Sequence, residues 1–263
     1  LMMITIFTIA GSAVYAAEIP VSDQDQLITS RDWTEISNLQ DEMKKEEPDA
    51  TIDYDKALKV YVDCNLIKLQ TADTKKLTSA LESANYVWVI PFKMEKTYGM
   101  FTVAKGLPLR EEAKSVLTKA EQEEVKNHAG KWMITETAEH TVEPYYDILL
   151  EKREALSDCT RVVLVGSQPG MRQPVALGMD DETARIWISL GYQYPVMEKI
   201  PETQNVESGV YSFDSVAEIS DTYIEDSEVS TGAGVQSRSS MKYVAGIGII
   251  VIGSILILSV LKK

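Results

Sequence analysis

The stretch from residue 161 to 190, RVVLVGSQPGMRQPVALGMDDETARIWISL, decides the fold class. It holds three short runs rich in branched and aromatic residues: Arg161 to Val165, Pro174 to Leu177 and Ala184 to Leu190. The residues between them, such as Ser167-Gln168-Pro169-Gly170, favour turns because they supply unusual backbone angles or local hydrogen bonds. Short runs joined by turns, with no helix-length insert, pair as antiparallel neighbours. The three read as a meander.

Four similar runs lie upstream, at Leu58 to Asp63, Tyr86 to Phe92, Tyr98 to Ala104 and Lys131 to Thr135. Lys93-Met94-Glu95-Lys96 reads as a hairpin turn between two of them, and Pro91 points to an edge or end position because proline donates no ladder bond. Helical spacing interleaves with the strands. Ser30 caps a helix carrying Trp33, Ile36, Leu39 and Met43 that ends before Pro48, and Leu77, Ala80, Leu81 and Ala84 recur after Thr71 and Asp73. Leu109, Ala113, Val116, Leu117 and Ala120 recur in the same way. Thr118 with Glu121 forms a capping box that opens a further helix ending at Gly130. Pro144 suits the first position of a helix bearing Ile148, Leu149 and Leu156. This order predicts an α+β domain over residues 21–201, with a mixed, mostly antiparallel sheet and flanking helices. Strand, helix and hairpin follow one another twice, at about 56–105 and 131–179. Two equivalent halves would have to superpose with the same strand order, and no residue identity supports a duplication.

The ends of the chain speak of address. Tyr243 to Leu261 is an uninterrupted apolar run followed by Lys262 and Lys263. At about 1.5 Å per residue it makes roughly 28 Å of helix, close to the ~30 Å hydrocarbon core of a bilayer. It is expected to be a membrane anchor, with residues 262–263 as a cytoplasmic tail. Met2 to Ala17 is apolar and ends in small residues, the pattern of a signal peptide cleaved after Ala16. Its lack of a basic n-region is read as a truncated or misassigned start. With the leader removed the anchor is the single span and the body lies outside. Residues 202–242 are rich in Ser, Thr, Gly and acids and read as a flexible acidic stalk, with Val216, Ile219, Tyr223 and Ile224 permitting a short helix. None of Asn38, Asn65, Asn85, Asn127 and Asn205 stands in a glycosylation sequon, which suits a bacterial envelope protein.

Composition narrows the partners. The formal net charge of −14 repels nucleic acid and anionic lipid head groups. Partners are therefore the membrane, through the C-terminal helix, and another envelope or membrane protein. Chemistry-bearing motifs are sparse. Cys64 and Cys159 are a disulfide candidate in an extracytoplasmic compartment, or else two small core hydrophobes. His128 and His140 lack metal-ligand spacing, and Asp23, Asp25, Asp180 and Asp181 are too scattered for a calcium loop. Val165-Gly166-Ser167-Gln168-Pro169 lacks the flanking glycines of a nucleophile elbow. No Gly-rich phosphate loop is present, and no cofactor is expected. Trp88, Trp132 and Trp187 read as core. Tyr192 and Tyr194 follow the last strand and read as a partner surface. The expected role is a tethered extracytoplasmic binding, sensor-like or scaffolding module without catalysis. The alternative is a tethered hydrolase whose carboxylates, such as Glu136, Glu139 and Asp147, converge only in three dimensions.

Overall fold

The apolar runs that alternate with turn residues become the strands of one sheet in the computed structural model, which describes residues 19–226 apart from 141, 167, 172, 193 and 202–204. The strands are β1 (Thr51–Ile52), β2 (Leu58–Tyr61), β3 (Tyr86–Lys93), β4 (Tyr98–Lys105), β5 (Trp132–His140), β6 (Arg161–Val165), β7 (Val175–Met179), β8 (Ala184–Ser189), β9 (Asn205–Glu207) and β10 (Val210–Ser212). They lie in the order β5-β4-β3-β2-β6-β7-β8-β10-β9, with β1 beside β3. Each pairing is antiparallel except β2 with β6, which is parallel. The fold is α+β with a large, mostly antiparallel sheet, and β6-β7-β8 form the meander read from the sequence.

The helices are α1 (Trp33–Ile36), α2 (Gln40–Glu46), α3 (Thr74–Glu82), α4 (Lys119–His128), α5 (Tyr145–Glu151), α6 (Pro195–Glu198) and α7 (Phe213–Asp226). The capping box at the start of α4 is present: the Glu121 amide donates to Thr118 Oγ1 at 3.3 Å and the Thr118 amide donates to Glu121 Oε2 at 2.8 Å. Gly130, at φ +76°, then turns the chain into β5. Pro144 sits one residue earlier than expected, as the N-cap of α5. The helix expected after Ser30 is broken into α1, a 3₁₀ turn over Ser37–Leu39 and α2.

Side-chain alternation splits the sheet into two faces. On one, Trp88, Ile90, Phe92, Phe101 and Val103 pack under Leu27, Ile36 and Met43 of the segment carrying α1 and α2. On the same face, β6, β7 and β8 offer Val163, Val165, Leu177 and Trp187 to Leu77, Leu81, Val196 and Val216 of α3, α6 and α7. The other face packs Leu58, Val60, Val162, Leu164 and Ile188 against Ile19, Tyr145 and Leu149. Two helical groups thus cover one face, with β2 beneath the gap between them.

Three expectations are corrected. The halves are not equivalent: β2, β3 and β4 are neighbours, whereas β5 and β6 lie far apart in the sheet, so the strand orders differ. Pro91 lies inside an interior strand. Its carbonyl accepts from the Asp53 amide at 2.9 Å, at the point where β1 hands over to β2 along β3, so no ladder bond is lost by its missing N–H. The domain does not end at 201. Residues 205–226 continue the sheet as β9 and β10 and close it with α7, because Val210, Phe213 and Val216 fill core positions and Phe213 stacks on Trp187 at 5.8 Å. The rest of the expected stalk, the anchor between Tyr243 and Leu261, the tail and the leader lie outside the described residues. Among the described residues no helix is long and apolar enough to cross a membrane.

The α7 assignment has a direct consequence. Phe213→Ala is expected to lower the unfolding free energy of the whole domain by about 3 kcal/mol, measured by urea denaturation. A loss below about 0.5 kcal/mol, the range of ordinary surface changes, would return this segment to the stalk.

Candidate functional site

Strand β2 carries its charge in an unusual place. Leu58, Lys59, Val60 and Tyr61 are all buried, so alternation puts Lys59 and Tyr61 on the sheet face beneath the gap between the two helical groups. A buried ammonium needs a partner, and the chain supplies Asp25 from the 3₁₀ turn Asp23–Asp25. The Asp25 carboxylate is only 3 % exposed. It accepts from Ser22 Oγ at 2.7 Å, from the Tyr61 hydroxyl at 2.8 Å and from Arg161 Nη2 at 3.1 Å, and Lys59 Nζ lies at 3.4 Å. The Lys59 ammonium also stands over the rings of Tyr86, Trp88 and Tyr61 at 4.7, 5.3 and 5.8 Å.

A second carboxylate completes the cluster. Asp32 Oδ2 accepts from the Tyr86 hydroxyl at 2.8 Å and from Trp88 Nε1 at 3.1 Å, which fixes both rings beside Lys59. Arg31 Nε approaches the other oxygen at 3.9 Å from the surface. Burial alone would raise the Asp25 carboxyl, yet the Ser22 hydroxyl, Arg161, Lys59 and Tyr61 together hold it below the usual carboxylate range. Burial lowers the Lys59 ammonium from its ordinary value, against the opposing pull of Asp25.

Two cavities meet at Arg31, Asp32, Ala84 and Tyr86. The larger, about 920 Å³, is a cleft at the ends of β2, β3, β4 and β5, walled by Val62, Val87, Leu107, Pro108, Tyr86 and Trp132. Arg31, Lys105 and Arg110 line it, facing Glu35 and Asp63. Asp63 is committed to the Asn85 amide and side chain at 2.6 and 2.5 Å, and Lys105 Nζ is 3.9 Å from Glu35 and 5.5 Å from the Trp132 ring. Arg110 has no ion-pair partner among the described residues. Gly106 makes this end of the sheet possible, since a Cβ there would stand 2.1 Å from the His128 carbonyl oxygen. The smaller cavity, about 430 Å³, is a recess over Lys59, Tyr61 and Arg161.

The residues singled out from the sequence fare unevenly. Cys64 stands in the cleft wall, half-buried, its thiol pushed up to about 11 by burial and by Asp63. Cys159 is buried among the residues packed on the opposite face. Both are free, so the disulfide considered for Cys64 and Cys159 is not formed; the sheet stands between them. Tyr194 is 2 % exposed and donates to the Pro174 carbonyl, while Tyr192 is half-buried with its hydroxyl 3.2 Å from that of Tyr145. Tyr194 is core and Tyr192 packs half-buried against it, because the Gly191 turn folds both back onto the sheet, away from the exposed partner surface expected of them. Glu136 and Glu139 project to opposite faces of β5, and Asp147 is paired with Lys56 at 2.8 Å, so these acids do not converge. His128 Nδ1 lies 2.9 Å from the Glu124 carbonyl oxygen. Trp88 and Trp187 are core, and Trp132 is buried where it borders the cleft. Ser167, Tyr243 and Leu261 lie outside the described residues. Among the described residues no group of His, Cys, Asp and Glu is arranged to hold a metal ion.

Sequence reasoning passed over Asp32, Lys59, Tyr86 and Arg161, and weighed Asp25 only as a calcium ligand. The local signal was Lys59, a cation inside an otherwise apolar strand run. Comparison with protein-family models, with curated proteins and with solved structures finds no match.

The lowered Asp25 carboxyl fixes a pH dependence. A carboxyl whose folded value lies below its unfolded value of about 3.9 contributes stability above that value, and loses it as pH falls through the folded one. Asp25→Asn is therefore expected to flatten the acid side of the stability profile below about pH 4, followed by urea midpoints. Parallel profiles for the parent and the variant would remove Asp25 from the acid transition.

Proposed function

We propose that this chain is a membrane-tethered extracytoplasmic binding module, without catalysis, that seats a flat apolar ligand bearing an anionic group in the larger cleft. The observation that carries the reading is a gathering of cations at one apolar opening. The chain is acidic overall, at −14, yet Arg31, Lys105 and Arg110 converge on one opening walled by Tyr86, Trp132, Leu107 and Pro108. Of the three carboxylates in the lining, Asp32 and Asp63 are taken by internal donors, and Glu35 makes only a 3.9 Å contact with Lys105. An apolar cavity with a few converging charges is the usual form of a small-ligand site. The tether rests on the apolar run from Tyr243 to Leu261 and the exported topology on the leader-like residues 1–16.

The competing reading, a tethered hydrolase, draws on Cys64 in the cleft wall. A thiol pushed up to about 11 is protonated at neutral pH, and no histidine lines the cleft to take its proton. That favours binding over nucleophilic chemistry.

The test uses the full chain in lipid nanodiscs and the flat aromatic anion 2-naphthalenesulfonate, titrated calorimetrically against empty discs. Saturable binding is expected, weakened at least tenfold when Lys105 and Arg110 are both replaced by glutamate, with the near-ultraviolet circular dichroism unchanged. Removal of residues 243–263 is expected to abolish co-migration with the discs. Unchanged affinity in the double variant would sink the cleft assignment, and continued co-migration would sink the tether.

A further inference from the structure

The recess beside the cleft has a floor with more hydrogen-bond donors than its own acceptors satisfy. Two cations, Lys59 and Arg161, share one carboxylate, Asp25. A carboxylate has about four lone-pair sites, and those of Asp25 are already approached by Ser22, Tyr61, Arg161 and Lys59. Lys59 has three N–H donors, a side chain only 10 % exposed, a single carboxylate contact at 3.4 Å, and otherwise ring faces around it. Arg161 has five donors; Nη2 meets Asp25, and its buried Nε has no partner. A charge this deeply buried and this poorly hydrogen-bonded is costly unless something compensates it. Asp32 adds its charge near Lys59 but gives neither cation a hydrogen bond, because Tyr86 and Trp88 donate to its Oδ2.

We propose that the recess is a carboxylate-binding subsite, in which Lys59 and Arg161 receive the carboxylate of a small organic acid. A planar carboxylate suits a guanidinium with free donors and an ammonium beside it. The walls, Tyr61, Tyr86, Leu81 and Ala84, receive the apolar body of the acid, and about 430 Å³ is room for a compact one. Exposed Asp23 and Glu82 stand at the mouth. They disfavour a second negative group on the ligand, so the class is a monocarboxylate whose far end is neutral or cationic.

The subsite is separate from the larger cleft in its key residues, since neither Lys59 nor Arg161 lines the cleft. The experiment is calorimetric titration of the full chain in nanodiscs with three probes of one shape: 3-phenylpropionate, 3-phenylpropanamide and phenethylamine. The carboxylate is expected to bind at least tenfold more tightly than either of the others. Arg161→Met is expected to lose at least tenfold in affinity for 3-phenylpropionate while its titration with 2-naphthalenesulfonate is unchanged. Equal binding of acid and amide, no binding of the acid, or unchanged acid binding in the folded Arg161→Met chain would overturn the proposal. If that variant does not fold, the comparison of the three probes on the parent chain decides. Loss of naphthalenesulfonate binding alone would count against the cleft and not against this subsite.

Discussion

The Asp25 carboxylate ties together three parts of the chain that the backbone alone joins weakly. It belongs to the segment entering the fold, it faces Lys59 and Tyr61 of β2, and it holds Arg161 of β6. Strands β2 and β6 form the parallel pair of the sheet, registered only at Val60 with Leu164 and Tyr61 with Val165. On either side the chain runs in antiparallel neighbours with much longer registers, such as β4 with β5. The sheet is therefore two meander-like halves joined at a short seam. Asp25 secures that seam on one face, while Val21 bridges to Val162 and apolar packing secures the other.

Apolar residues of similar size often match or exceed a buried ion cluster in stability, and a broken cluster is far worse than either. Here the cluster fixes which residues face each other. A one-residue slip of β2 against β6 would carry Lys59 and Tyr61 to the apolar face of Leu58 and Val60. The charge thus specifies register where few backbone bonds do. The same geometry creates the candidate sites. One helical group covers β3 and β4 and another covers β6 to β8, and neither covers the seam. The recess lies over that uncovered strip and meets the cleft at the strand ends, so Lys59 and Arg161, which order the sheet, also line the proposed subsite.

Much of this architecture was legible because its causes are local. Branched and aromatic runs separated by turn residues mark strands, and the Thr118–Glu121 box needs only two side chains three residues apart. The stretch 205–226 misled because its polar composition hides a few apolar positions, Val210, Phe213 and Val216, that matter only once Trp187 is placed beneath them. Pro91 misled because the handover from β1 to β2 cannot be inferred before the sheet is assembled. The cluster was the least legible part. Arg161 lies 136 residues from Asp25 and Tyr61 lies 36 away, separations no periodicity reports. Tyr192 and Tyr194 were placed outside because they follow the last strand of the meander, whereas the Gly191 turn brings them back into the core.

The seam stands or falls on a single substitution. Urea unfolding of the Asp25→Ala chain, followed through its buried tryptophans, should show a loss of about 3 to 5 kcal/mol, because Lys59 and Arg161 are left buried without their shared anion. A loss below about 0.5 kcal/mol, no more than a surface change produces, would mean that the two halves of the sheet hold together without Asp25.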